Sequence, residues 1–297
     1  MSSVGAKRIV VAVGAHWDEV FRLEHEARAG GSHPATVSER AGGCGFNLAA
    51  ALSLAGHEVA HAGLRGYDER GEALARALAA RGIGDVGLRV PGEATGRYAA
   101  FVGPDGSVAM AAAAMGIYRH AARLAAHGPA RGALARADLV VLDANAPGDA
   151  LRALAGCAGQ ATLALLATSA SKAAALGDML AEAGIVFANE AEWAAMGNAG
   201  LDPPRLAFVT RESEGAECRR SGLVVAASPS HAGEIVDVIG AGDAFAAGTL
   251  DAWLAGLPDR EAMERGLDWA ARSLRHPEAL GWLDVGEGAR SAGTDPR

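Results

Sequence analysis

The stretch Ile235-Val-Asp237-Val-Ile-Gly240-Ala-Gly242-Asp243-Ala-Phe-Ala-Ala-Gly248 reads as a short strand at Ile235 and Val236, a glycine-rich turn, and a helix stopped near Gly256 and Pro258. Glycines at 240 and 242 let the amides of Ala241, Gly242 and Asp243 point into one concavity at a helix N-terminus. Such a nest, with the helix dipole behind it, suits a phosphoryl group in transfer. Asp243 lies in the first helical turn, where an aspartate is most often only a cap or dipole partner. Two flanking glycines, with Gly248 offering close backbone approach, exceed what a cap requires. A carboxylate held beside an anion hole is what a general base needs to deprotonate an alcohol attacking a phosphate.

The strand-then-helix rhythm extends outward. Arg8-Ile-Val-Val-Ala-Val-Gly14 predicts a buried strand that delivers Ala15 to Asp18 at its carboxyl end. Phe46 to Ala55 predicts a helix stopped by Gly56, His57 to Ala62 a strand, and Glu72 to Arg81 an amphipathic helix. Arg97 to Val102 and Ser107 to Met110 flank Pro104-Asp105-Gly106, a hairpin signal. Further strands are expected at Leu139 to Leu142, Thr162 to Leu166, Ile185 to Ala188, Leu206 to Thr210 and Leu223 to Ala226, with helices around Asp149 to Ala155 and before Gly184. No linker or repeat divides the chain. The expected architecture is therefore one α/β domain over 1–297, a doubly wound, mainly parallel sheet with a small β lid from segments 19–41 and 93–116.

Composition narrows the chemistry. The 297 residues are 50% apolar, enough for a sizeable core and against global disorder. A net charge of −8 leaves no basic surface for tracking a nucleic-acid backbone, so a small-molecule substrate is expected. The two lysines, Lys7 and Lys172, follow Ala6 and Ser171, which excludes a Gly-Lys phosphate loop. Cys44, Cys157 and Cys218 are an odd set without CxxC spacing, and the longest apolar run, Val108 to Tyr118, is too short for a bilayer. These features predict a soluble cytoplasmic protein.

Two motifs are decoys. His57-Glu58-Val59-Ala60-His61 matches the zinc pattern HExxH, but in a strand its histidines stand about 13 Å apart, too far for one tetrahedral ion. Gly82-Ile-Gly84-Asp-Val-Gly87 matches GxGxxG but follows a helix, the reverse of the dinucleotide order.

At Asp237 to Asp243 the sequence resembles the ribokinase (PfkB) family of sugar and nucleoside kinases, whose signature D-T-x-G-A-G-D ends in the catalytic base. Gly42-Gly43-Cys-Gly-Phe-Asn47 resembles the family's glycine pair and asparagine at the substrate site. Asn189-Glu-Ala-Glu192 resembles its N-x-x-E element, and Asp18 its hydroxyl-gripping aspartate. Singly, each also reads as an ordinary helix entry, first turn or loop carboxylate. The resemblance implies Asp243 as base, with Gly240, Ala241 and Gly242 forming the anion hole. It implies acceptor binding by Asp18, Gly42, Gly43 and Asn47, and Mg²⁺ with phosphate waters organised by Asn189 and Glu192. Asp237 reads either as a ligand for K⁺, as in several members, or as a strand-end carboxylate.

Val238 replaces the signature threonine and His16 a usual asparagine, while Thr210-Arg-Glu-Ser-Glu-Gly215 only loosely matches the nucleotide loop, leaving Thr210 and Gly215 as the expected ATP contacts. The short interval from Glu192 to Val209 implies a shortened helix. Pro91 to Phe101, Ala114 to Tyr118 and Val141-Leu-Asp143-Ala-Asn145 are similar to bacterial pseudouridine kinases, with Asn145 either a uracil contact or a turn residue before Pro147. The expected reaction is ATP-dependent phosphorylation of a primary hydroxyl on a ribose-containing acceptor. Alternatives are another sugar kinase of the family or a non-catalytic ligand-binding member. No nucleic-acid or membrane partner is expected; a homodimer through the lid is.

Overall fold

The computed structural model describes residues 5–177, 179–198, 200–230, 233, 235–276 and 278–283. Nine strands form one sheet, in the order Leu223–Ser228, Ala216–Arg220, Leu206–Thr210, Ile185–Asn189, Thr162–Leu166, Leu139–Asp143, Arg8–Ala12, Glu58–Ala62 and Gly84–Asp85. Pairing is parallel from Gly84–Asp85 through Leu206–Thr210, and the last two strands run antiparallel. The central strands are apolar on both faces, as a sheet covered on both sides requires. Ile9, Val11, Leu139 and Val141 face a core shared with the Cys44–Leu54, Ala241–Leu254 and Asp259–Leu274 helices. Val10, Ala12, Val140 and Leu142 face the opposite core, with Ala130 and Leu134 of the Gly128–Arg136 helix and Leu151 and Leu154 of Gly148–Ala155.

A second sheet orders Ala35–Gly42, His16–Leu23, Arg97–Val102 and Val108–Ala114, covering most of the two segments expected as a lid. Val20, Ala100 and Val102 are its buried centre. The chain passes from the main sheet to this one through Val13 and Gly14, both at positive φ. A Cβ on Gly14 would stand 1.7 Å from Asp143 Oδ2, so only glycine fits.

Gly248 does provide close packing: a Cβ there would lie 2.8 Å from the Trp269 ring. The strand expected at Ile235 and Val236 is absent. Val236 and Asp237 donate their amides to the carbonyl of Leu274, at the end of a helix, instead of to a sheet neighbour. The strand Ala216–Arg220 escaped the sequence pattern because Glu217, Arg219 and Arg220 disguise it as loop. Both decoys fail structurally. His61 is buried in a strand with Nε2 2.7 Å from Val13 O, His57 pairs with Asp251, and Gly84–Asp85 is a two-residue edge strand. No helix among the described residues is long and apolar enough to cross a membrane.

Candidate active site

Gly240 adopts the left-handed conformation at the N-cap of the Ala241–Leu254 helix, where a Cβ would stand 2.4 Å from that of Ala279. Gly242 is the opposite case, with open space where its Cβ would be. The Ala241 amide is spent weakly on Val238 O at 3.4 Å. Those of Gly242 and Asp243 have no backbone acceptor among the described residues, as is usual for a first helical turn. The expected three-amide nest therefore reduces to two free donors over an open space.

Asp243 accepts a 2.8 Å hydrogen bond from Asn47 Nδ2. The glycine-pair helix and the glycine-turn helix thus meet through the two side chains singled out on them, 196 positions apart. Its carboxyl keeps partial solvent contact, yet the protein around it pushes its pKa up to about 6. Desolvation is the main cause, the Asn47 donor opposes it, and the charges of Asp143 and Asp18 add to it.

Asp143, quoted in the sequence but given no role, is fully buried at a strand end and is the missed member of this cluster. Cys44 Sγ donates to its Oδ2 at 2.7 Å, and the Asn145 amide to its Oδ1 at 2.7 Å. Burial and the neighbouring carboxylates push the Cys44 thiol well up, so it serves as a donor and not as a nucleophile. The Asn145 side chain, read either as a uracil contact or as a turn residue, has partners of its own. Lys172 Nζ donates to its Oδ1, and its Nδ2 lies 3.5 Å from Cys44 Sγ. Among the described residues Lys172 has no carboxylate at ion-pair distance, which leaves a cation beside the cleft that the sequence reading used only to exclude a phosphate loop.

The glycine pair makes room for the second sheet's first strand. A Cβ on Gly42 would stand 2.0 Å from Asp18 Oδ2, and one on Gly43 would stand 2.3 Å from Gly14 O and 2.8 Å from the His16 ring. Asp18 is buried, and its Oδ1 lacks a well-directed donor although His16 Nε2 lies 3.2 Å away. An orphan buried acceptor suits a hydroxyl ligand. His16 Nδ1 is 3.1 Å from Tyr118 Oη, whose hydroxyl donates to Ala15 O, so the substituted His16 has a packed and bonded seat.

On the other flank, Asn189 and Glu192 bond each other: Asn189 N donates to Glu192 Oε2 at 2.8 Å and Glu192 N to Asn189 Oδ1 at 2.9 Å. This is a reciprocal helix cap that takes one side-chain oxygen of each residue. What remains is the second Glu192 carboxylate oxygen, on a group whose pKa burial raises, and the exposed amide end of Asn189. Thr210 is the register partner of Asn189 on the next strand, at the same sheet edge. Gly215 lies at the same end of the sheet, in the hairpin that joins Thr210 to its register partner Ala216. It closes that hairpin at φ +98, where a Cβ would strike Ser228 O at 2.1 Å.

Asp237 does not fit a potassium site. Its Oδ1 accepts from the Ile239 amide at 2.9 Å, and its Oδ2 accepts from the Glu278 amide at 3.2 Å and from Arg22 Nη2 at 3.1 Å. The Arg22 guanidinium already pairs with the carboxylate that was read as a possible cation ligand.

A family model described as pfkB family carbohydrate kinase matches residues 7–281. The chain is similar to an ATP-dependent ribose-1-phosphate kinase from Halopiger xanaduensis, with 33% identity over 308 aligned positions covering 97% of this chain and 95% of the relative. Among solved structures it resembles a carbohydrate kinase from Agrobacterium tumefaciens, at 34% identity and a TM-score of 0.80 over 94% of each chain. A ribokinase from Arabidopsis thaliana complexed with ribose and ATP shares the fold at 20% identity, with a TM-score of 0.78 over 95% of this chain and 99% of that one.

Proposed function

The chain belongs to the pfkB family of carbohydrate kinases and transfers a phosphoryl group from ATP to an alcohol; from that premise we propose that its acceptor contains ribose and is phosphorylated on the primary hydroxyl. The observation that carries this reading is the Asn47–Asp243 hydrogen bond, which brings the acceptor-side helix to the base beside the two free amides.

In this mechanism Asp18 accepts hydrogen bonds from ribose hydroxyls, and Asn47 fixes the Asp243 carboxylate toward the remaining one. Asp243 takes the hydroxyl proton as the oxygen attacks the γ-phosphorus and the bond to the β-phosphate oxygen breaks, releasing ADP. The amides of Gly242 and Asp243 stabilise the charge on the transferring group. Mg²⁺, when bound with the nucleotide, supplies neutralisation of the phosphates; the free oxygen of Glu192 and the amide of Asn189 are the residues that would hold its waters. A hard oxygen donor on a desolvated carboxylate fits that ion. Thr210 lies at the same edge for the nucleotide. The second sheet, carrying Asp18, acts as a lid that excludes water from competing with the acceptor.

Two ribose-containing acceptors compete. Similarity in the lid segments points to pseudouridine. Lys172, holding the Asn145 amide that would otherwise read a base edge, points to an acceptor with an anionic group, and a relative is named as a ribose-1-phosphate kinase. The second reading accounts for more of the site. A coupled ADP-release assay over ribose 1-phosphate, pseudouridine, uridine, ribose and fructose tests both. Turnover is expected to be highest on ribose 1-phosphate. Highest turnover on pseudouridine would restore the base-reading role, and preference for fructose or no turnover would overturn the proposal.

We also propose that the Val108–Ala114 strand, exposed along its length at the edge of the lid sheet, pairs with a second copy of the chain.

A further inference from the structure

Asp237 binds three segments at one point. The Ile239 amide comes from the turn that leads into the anion hole, the Glu278 amide from the segment after the last long helix, and Arg22 from the second sheet. The Asp237 side chain is only 7% exposed. A carboxylate so placed has two costs: desolvation, and repulsion of the nucleotide phosphates arriving at the adjacent amides. It needs a positive partner, which a bound monovalent cation or a fixed side chain can supply.

Here the chain supplies it. With three donors on its two oxygens, Asp237 has little left for an ion, and an ion on the same carboxylate would sit beside a guanidinium of like charge. Arginine suits the place because its charge is permanent, weakly hydrated and directional. Arg22 also has a telling address. It follows Asp18 by four residues in the strand His16–Leu23, so both side chains leave the same face of one strand. One reaches the candidate acceptor site, and the other reaches the root of the anion-hole turn. Movement of that strand carries both.

We infer that the Arg22 guanidinium takes the place of a monovalent cation at Asp237, making phosphoryl transfer by this chain independent of potassium and tying the anion-hole turn to the position of the second sheet. The inference rests on the kinase reading of the site and adds to it a residue that positions the turn without touching substrate.

The test uses the full chain in potassium chloride and, at equal ionic strength, in tetramethylammonium chloride. Wild-type kcat is expected to be the same in both. Arg22→Ala is expected to lose about tenfold to a hundredfold in kcat without potassium, the worth of one charge-assisted hydrogen bond, and to recover much of it when potassium is added. Arg22→Lys should keep more activity and stay insensitive to potassium. Arg22→Gln, which keeps length and polarity without charge, guards against a folding defect in the alanine variant and should also become potassium-activated. Binding of thallium(I), followed by its NMR signal, should be absent in wild type and present in Arg22→Ala. Potassium activation or thallium binding at this site in wild type would overturn the inference. So would alanine and glutamine variants that stay folded yet show no potassium response. Failure of every acceptor in the wild-type assay would instead count against the proposed acceptor, and the thallium measurement would still decide this point.

Discussion

Asp243 and Asn47 meet because each stands in the opening turn of a different helix, and the two helices pack on one face of the same sheet. At the level of the single residue, protonation state decides function. A carboxyl with its pKa raised to about 6 is a base only in its ionised form, so turnover is expected to fall as pH drops through about 6. Asn47 holds that value down by donating to the charged form. Asn47→Leu should therefore move the acid limb of the kcat profile to higher pH while lowering the plateau. A limb that stays in place in that variant would mean Asn47 does not govern the base. Asp243 was legible in the sequence from its glycine-rich helix entry and Asp18 from its place past a predicted strand, whereas Asn47 and the role of Asp18 came from the family resemblance. Asp143, Lys172 and Arg22 were not legible. Their roles arise from contacts with residues 99, 27 and 215 positions away, and no local pattern encodes those pairings.

Turns and caps set the geometry at the level of elements. Gly240 and Gly242 look equivalent in the sequence, but the first is required by the fold and the second is open toward the proposed phosphoryl group. Gly240→Ala is expected to cost about 2–4 kcal/mol, from its positive φ and the crowding against Ala279. Gly242→Ala should leave the melting temperature nearly unchanged and still reduce kcat, because its new methyl occupies the space beside the free amides. Thermal melts with parallel kinetics separate the two, and a Gly242→Ala enzyme with full turnover would move the transfer site elsewhere. The parallel strands were readable from their continuous apolar runs and came out close to their expected bounds, Thr162–Leu166 and Leu206–Thr210 among them. The asparagine and glutamate of Asn189-Glu-Ala-Glu192 illustrate the converse. Their spacing is that of a helix cap as much as of a ligand pair, and the hydrogen bonds show that the cap uses one side-chain oxygen of each.

Over the whole molecule, the doubly wound sheet collects Asp143, Asn189 and Thr210 at strand ends, where an open α/β sheet binds ligands. The second sheet adds one acid from the far side. Its outer strand Val108–Ala114, with Met110 60% exposed, is expected to bring two copies together. Light scattering should give twice the chain mass for the wild type and the chain mass for Met110→Lys; a monomeric wild type would remove the proposed pairing. That edge was legible as half of a hairpin, whereas its exposure along every residue depends on how the two sheets are placed and could not be read from composition.

The most direct measurement is the turnover of Asp243→Asn on the best acceptor of the panel, with ATP and acceptor affinities measured alongside. Retained binding with kcat lowered about 10²–10⁴-fold is the expected result. Near-normal turnover in a folded variant would contradict the assignment of Asp243 as the base.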